Sequence, residues 1–183
     1  MRSISVDRDL RLRDPTLGDA EELFAAIAAN RSYLARWLPW PLQVKAVEDE
    51  RNWIRARRAP GAADTELGLL IIASGAIVGG LGIAGLGSPN LAAEIGYWLA
   101  EALQGRGIVT RCCRAAMKYA FEARGANRIQ IRAAVDNTRS RAIPERLGFV
   151  FEGVQRQAIL VNGVFQDLAV YSMLAAEWKA SSP

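Results

Sequence analysis

The spacing of apolar residues changes several times along this chain, and each change marks an element. Leu10-Arg11-Leu12-Arg13 alternates and predicts a first strand, which Asp14-Pro15-Thr16 ends. Across residues 19–29, Leu23 with Ile27 and Ala20 with Phe24 fall at helical spacing, so a helix is expected. Residues 31–40 are irregular and aromatic-rich and run into Pro39-Trp40-Pro41. Residues 47–58 read as a second helix, with Val47, Trp53 and Ile54 on one side.

Residues 67–87 form an uncharged, mostly apolar run of 21 residues, long enough to span a membrane as a helix. It contains Gly75-Ala76-Ile77-Val78-Gly79, a helix-dimer pattern. Seven of the 21 are glycine, however, and each costs about 1 kcal/mol in a helix relative to alanine. Ser74-Gly75 reads instead as a hairpin turn between two strands. Strands this continuously apolar imply a sheet covered on both faces.

A further strand is expected at residues 94–99, Glu94-Ile95-Gly96-Tyr97-Trp98-Leu99. It leads into Gln104-Gly105-Arg106-Gly107-Ile108-Val109-Thr110 and then an amphipathic helix. Cys113, Ala116, Met117, Ala120 and Phe121 make that helix's buried stripe. Arg111, Arg114 and Lys118 lie on another face, as a solvated basic surface would. Gly125 reads as the helix's C′ residue. A strand at 129–134 follows. Then come a turn at Asp136-Asn137, a short helix ending before Leu147-Gly148-Phe149, and two terminal strands near 151–160 and 165–174. Asn162-Gly163 suits the hairpin turn between them. No repeat or domain boundary interrupts residues 1–183, and 180–183 read as a tail.

The glycine loop is the first candidate for chemistry. A strand turning through two glycines into a helix presents unpaired N–H groups and the positive end of a dipole, a natural anion site. It is not a P-loop, because Gly107 is followed by Ile108-Val109 and not Lys-Ser/Thr. It is not the dinucleotide fingerprint either, because Thr110 stands where the third glycine belongs.

Composition narrows the chemistry. There is no histidine, which excludes Ser-His-Asp and Cys-His catalysis and most zinc sites, so no metal is expected. Cys112 and Cys113 are adjacent on a helix and diverge by about 100°, so they form neither a metal pair nor an ordinary disulfide. Two unpaired cysteines suit the reducing cytoplasm. The start of the chain has no apolar run of the signal-peptide kind. A net charge of +4 favours anionic ligands mildly, without a basic stripe that would read as nucleic-acid binding.

Two motifs, E-I-G-Y-W-L-x-x-x-x-Q-G-R-G-I at 94–108 and D-N-T-R-S-R-A-I-P-E-R-L-G-F at 136–149, together resemble the GNAT superfamily of acetyl-coenzyme-A-dependent N-acetyltransferases. Within it they are most similar to the branch that acetylates ribosomal-protein N-termini, and the resemblance covers roughly residues 8–178. It implies an α/β (α+β) fold: a mixed, mostly antiparallel sheet of seven or so strands, splayed in the middle and flanked by helices on both faces. It also implies acetyl-CoA as cosubstrate, an amine acceptor such as a protein N-terminus, and a homodimer.

The family's pyrophosphate pattern, Q/R-x-x-G-x-G/A, is matched by Gln104 and Gly107. Val109 takes the last Gly/Ala place, a departure. The resemblance implies that Gln104, Gly105, Arg106, Gly107, Ile108, Val109 and Thr110 hold the pyrophosphate. It implies too that the backbone of Trp98 and Leu99 pairs with the pantetheine arm. Asn137 matches the amide that contacts that arm, and equally reads as a helix cap or Asx turn. Ser140 matches the serine near the thioester sulfur, and equally reads as a cap. Where many members carry a tyrosine acid four residues later, this chain has Pro144, which leaves the role to Ser140. Proline is expected to be tolerated there with Ser140 as N-cap and Pro144 as the fourth helical residue.

The implied reaction is direct attack of an amine on the thioester. The glutamate that related enzymes favour as base is replaced at Ile159. Glu94, acting through water, is the catalytic candidate in its place, with a structural carboxylate as the other reading. Trp37 and Trp40 are expected to wall the acceptor pocket, or else to be core packing. Without a strong base, an α-amine is the better acceptor. The competing readings are a small-molecule amine acetyltransferase (aminoglycoside, polyamine or amino acid), a non-catalytic acetyl-CoA-binding module, and a membrane protein anchored by 67–87.

Overall fold

The computed structural model describes residues 2–181. Eight strands form one sheet: β1 (Ser3–Ser5), β2 (Leu10–Arg13), β3 (Glu66–Ala73), β4 (Ala76–Ala84), β5 (Ala92–Leu99), β6 (Arg128–Ala134), β7 (Val150–Val161) and β8 (Val164–Leu174). Their order is β1-β2-β3-β4-β5-β6-β8-β7. Every neighbouring pair is antiparallel except β5 with β6. Leu10–Arg13 is thus the second strand, and the count is eight where the family resemblance implied seven. The additional strand, Ser-Ile-Ser, is only three residues long, too short for its alternation to mark a strand.

The apolar run at 67–87 is the β3–β4 hairpin, turning at Ser74 and Gly75 with φ of 49° and 88°. Leu69 and Ile71 face one core cluster, while Leu70 and Ile72 face the other. A strand buried on both sides has no polar face to show, so its sequence is continuously apolar. Among the described residues no helix is long and apolar enough to cross a membrane.

Helices α1 (Ala20–Leu34) and α2 (Val47–Arg58) cover β3 and β4 on one face, and a single turn, α3 (Ala62–Thr65), precedes β3. The larger cluster, on the opposite face, is built by α4 (Ile108–Lys118), α5 (Thr138–Arg146) and α6 (Ala175–Ser181). The first helix runs past residue 29 because Leu34 continues the buried row of Leu23 and Ile27. The predicted stripe of α4 is buried as expected and carries on through a π turn, Tyr119–Ala123, to Gly125 at φ 65°.

Two details of this frame matter for the site. In β4 a bulge puts Ile71 opposite Gly79 and Ile72 opposite Ile77. A Cβ on Gly79 would collide with the Trp98 carbonyl, so this glycine sets how closely β4 carries β5. At the other end, the Asn162-Gly163 turn closes the β7–β8 hairpin with φ of 50° and 83°. Asn162 Nδ2 donates to Ala35 O at 2.6 Å, and Gln166 Nε2 to Arg36 O at 3.2 Å. The terminal hairpin therefore clasps the end of α1.

Helix α2 buries Glu50 to 5% exposure beside Ile54, with no hydrogen-bond donor or cation partner among the described residues. Burial, with the neighbouring charge of Asp49, pushes its carboxyl up to about 7. A folded pKa above the unfolded one means the folded state holds its proton more tightly. The associated stability is therefore present at low pH and is lost as pH rises from about 4.5 through about 7. A shift of this size is worth about 3 kcal/mol. The urea midpoint of the protein is expected to fall between about pH 5 and about pH 8, and Glu50→Gln to flatten that fall. An unchanged pH profile in the variant would remove Glu50 as the cause.

Candidate active site

The parallel pair β5–β6 is joined only at Ala92↔Arg128, Ala93↔Ile129 and Glu94↔Gln130. Beyond Glu94 the strands part. β5 stays paired to β4 as far as Leu99↔Gly79, and β6 stays paired to β8 as far as Ala134↔Leu168. The second half of β5 thus has one bonded edge and one free edge. A cavity of about 1000 Å³ opens along the fork.

The glycine loop closes one end of this cavity. Gly105 and Gly107 both hold positive φ, 75° and 70°, and Gly107 is the N-cap of α4. The first backbone bond into that helix is Arg111 N–H to Gly107 O at 3.1 Å. The amides of Ile108, Val109 and Thr110 therefore have no intrahelical acceptor. Val109 is buried in the main core, which accounts for a residue larger than the family's glycine or alanine there. Gln104 is held by Arg139, whose Nη1 donates to its Oε1 at 2.9 Å.

Helix α5 reaches the fork from the opposite side. Its N-cap is Asn137, whose Oδ1 accepts the Ser140 N–H at 3.1 Å. This corrects the expected capping: Ser140 is the third helical residue and Pro144 lies inside the helix. The cap uses Asn137 Oδ1, and Nδ2 has no partner among the described residues. Ser140 Oγ donates to the phenol oxygen of Tyr97 at 3.3 Å.

Trp98, Leu99, Gln104, Gly105, Gly107, Ile108, Val109, Thr110, Asn137 and Ser140 all border the one cavity. Arg106 does not; its carbonyl accepts Arg111 Nη1 at 3.1 Å. Trp37 borders the cavity, whereas Trp40 packs edge-on against Trp98 in the smaller core cluster, with ring centroids 6.2 Å apart. Trp40 is thus the packing residue of the two. Glu94 lies at the closed end of the fork, with one oxygen accepting from Gln130 Nε2 at 2.8 Å and the other from Arg132 Nε at 3.0 Å. Ile159 contributes an apolar side chain to the same cavity.

Sequence reasoning missed Tyr97, Tyr33, Arg132 and Glu101, all of which border the cavity. Tyr97 had a readable signal, since Ile95, Tyr97 and Leu99 alternate with Glu94, Gly96 and Trp98 and so face α4 and α5. The others come together only through the fold. Among the described residues, no group of three or more His, Cys, Asp or Glu side chains could hold a metal ion.

Comparison with known proteins agrees with this geometry. The family model described as Acetyltransferase (GNAT) domain matches residues 9–150. The chain is 40% identical over 173 residues to the "Putative ribosomal N-acetyltransferase YdaF" of Bacillus subtilis, covering 93% of this chain and 92% of that one. Among solved structures, the ribosomal L7/L12 α-N-protein acetyltransferase RimL in complex with coenzyme A superposes with a TM-score of 0.90 at 28% identity, covering 96% of this chain and 99% of that one. The microcin C7 self-immunity acetyltransferase MccE, in complex with acetyl-CoA and AMP, superposes with a TM-score of 0.86 at 32% identity, covering 92% and 94%.

Proposed function

This chain belongs to the GNAT acetyltransferase family, and from that premise we propose that it transfers the acetyl group of acetyl-CoA to the N-terminal α-amine of a ribosomal protein. The observation that carries the reading is the forked sheet, with a glycine loop at one side of the fork and the N-terminus of α5 at the other.

The residues present fit the donor. The free edge of β5 at Trp98 and Leu99 offers backbone groups to a pantetheine arm, in the manner of an added strand. The amides of Ile108, Val109 and Thr110 suit a pyrophosphate. Asn137 Nδ2 can donate to an amide carbonyl of the arm. Bound acetyl-CoA supplies an activated thioester, and the chain supplies orientation and proton handling.

The amine nitrogen forms a bond to the acetyl carbon while the carbon–sulfur bond breaks. One proton leaves nitrogen and one is taken up by sulfur, so no acyl-enzyme or histidine is needed. A backbone N–H on the free edge of β5 stabilises the oxyanion. Ser140 gives its hydroxyl proton to the departing sulfur and takes one back from solvent water. Glu94 receives the amine's proton through water, since both its oxygens are already held by Gln130 and Arg132. Tyr33 and Trp37 line the acceptor side.

A thiol-release assay tests this reading with ribosomal-protein N-terminal peptides, N-terminally blocked lysine peptides, polyamines and aminoglycosides. Free N-termini are expected to be the fastest acceptors. Lysine or polyamine turnover above theirs would end the α-amine assignment. Tight acetyl-CoA binding with no thiol release from any amine would favour the non-catalytic module, for which Pro144 and Ile159 speak.

The second reading, a small-molecule acceptor, is favoured by the likeness to MccE with AMP and by the aromatic faces of Tyr33 and Trp37. Fast acetylation of an aminoglycoside, polyamine or amino acid beside slow peptide turnover would support it.

We further propose that the protein works in the cytoplasm, where its free, buried cysteines and a ribosomal acceptor belong. Cell fractionation checks that. A homodimer is proposed through the terminal hairpin, where Val150, Phe151, Val154, Val164 and Phe165 are each 49–63% exposed on or beside edge strand β7. Sedimentation at dimer mass is expected, and monomer mass at working concentration would refute it.

A further inference from the structure

Pro144 leaves a gap in α5. In an uninterrupted helix the N–H of residue 144 would bond to the carbonyl of Ser140, and proline has no N–H. That carbonyl is not left bare. The phenol of Tyr97 donates to Ser140 O at 3.1 Å, and the same phenol oxygen accepts from Ser140 Oγ at 3.3 Å. One side chain from β5 therefore holds both the backbone and the hydroxyl of a single residue across the fork.

Two further observations bear on what this contact does. Tyr97 stands on the half of β5 that has no partner in β6, next to the free edge at Trp98 and Leu99. The contact is thus a direct link between that edge and α5. Burial, aided by the neighbouring Cys113 thiol, also keeps the phenol far above its ordinary range in spite of the Ser140 bond. Tyr97 stays protonated at any working pH, so it is a fixed hydrogen-bond partner and not a base. With its single O–H given to the Ser140 carbonyl, its oxygen can only accept from the serine. This fixes the position of Oγ and leaves its proton in a long, easily exchanged bond.

We propose that Tyr97 is a positioning residue for acetyl transfer: it compensates the donor that Pro144 lacks and, through the same phenol, holds the Ser140 hydroxyl where the leaving sulfur develops. This rests on the reading of Ser140 as proton donor given above. A purely structural Tyr97 would only satisfy the carbonyl and keep α5 folded.

The test is a set of variants assayed by thiol release and by urea denaturation. Tyr97→Phe is expected to lower kcat about tenfold, the worth of one hydrogen bond, with the KM for acetyl-CoA nearly unchanged. Pro144→Ala restores an N–H for the Ser140 carbonyl. In that background Tyr97→Phe should cost little stability yet still lower kcat. In a Ser140→Ala background Tyr97→Phe should change kcat no further. Full kcat in Tyr97→Phe, or a loss that disappears once Pro144 is alanine, would overturn the positioning role. Full kcat in Ser140→Ala would instead overturn the serine's role as donor, a separate failure. Absence of turnover in the parent protein would be a failure of the enzyme assignment itself.

Discussion

Replacing both loop glycines, Gly105→Val with Gly107→Val, is expected to weaken coenzyme A binding by at least about 30-fold and up to about 1000-fold while leaving the protein folded. The reason is conformational. Both residues sit at positive φ, 75° and 70°, a region that costs an L-residue ~1–2 kcal/mol each, and more if β-branched. Packing opposes the change very little. A Cβ on Gly105 meets nothing within 4 Å, and one on Gly107 meets only the end of the Arg111 side chain at 3.4 Å. Without ligand the substituted loop can relax to negative φ at small cost to the fold. Binding must then restore the strained form before the amides of Ile108, Val109 and Thr110 point at a phosphate, so ~2–4 kcal/mol appears in affinity. Calorimetric titration with coenzyme A measures the loss, and a urea midpoint close to the parent's shows that the fold survives. A dissociation constant within about threefold of the parent would mean that the loop does not bind phosphate through these amides.

What could be read beforehand depended on whether the signal lay in one segment or between segments. The alternation of Leu10 and Leu12, the doubly buried β3–β4 run, the stripe of α4 and the Asn162-Gly163 turn are local patterns fixed by period or turn chemistry, and each was legible. Strand β1 was not, because it is three residues at the sheet's edge with only Ile4 partly buried, too short a stretch to show a period. The capping of α5 was misread because a serine and an asparagine near a helix start are both good caps, and Asn137 takes the place. Trp37 and Trp40 are equivalent in sequence. Only the docking of the segment after α1 puts one on the cavity and the other against Trp98. The same holds for Glu94. Its ties to Gln130 and Arg132 depend on where the parallel pairing of β5 and β6 stops, and no residue pattern announces that point.

The choice of acceptor should follow from how little base this site contains. Ile159 puts an apolar side chain on the cavity, where a carboxylate would have served as base. Glu94 is already engaged by two donors. The amine must then arrive largely neutral. At physiological pH roughly a quarter of α-amines are neutral, with a pKa near 7.7–8.0, against about one lysine in a thousand at about 10.4. The gap of about 2.5 units is worth ~3.4 kcal/mol, a factor of about 300 in reactive amine. An N-terminal peptide is therefore expected to exceed an N-terminally blocked lysine peptide in kcat/KM by about two orders of magnitude near pH 7.4. The pH profile is a second readout. For the α-amine, kcat/KM should rise about tenfold per pH unit below about 7.5 and level off above about 8, as the amine and not an enzyme carboxylate loses its proton. For lysine the rise should continue toward pH 10 or so, which narrows the gap as pH increases. A plateau already reached near pH 6 would assign the titrating base to the protein, with Glu94→Gln as the variant to abolish it. Equal rates for the two peptides at neutral pH would show that the site deprotonates its acceptor actively.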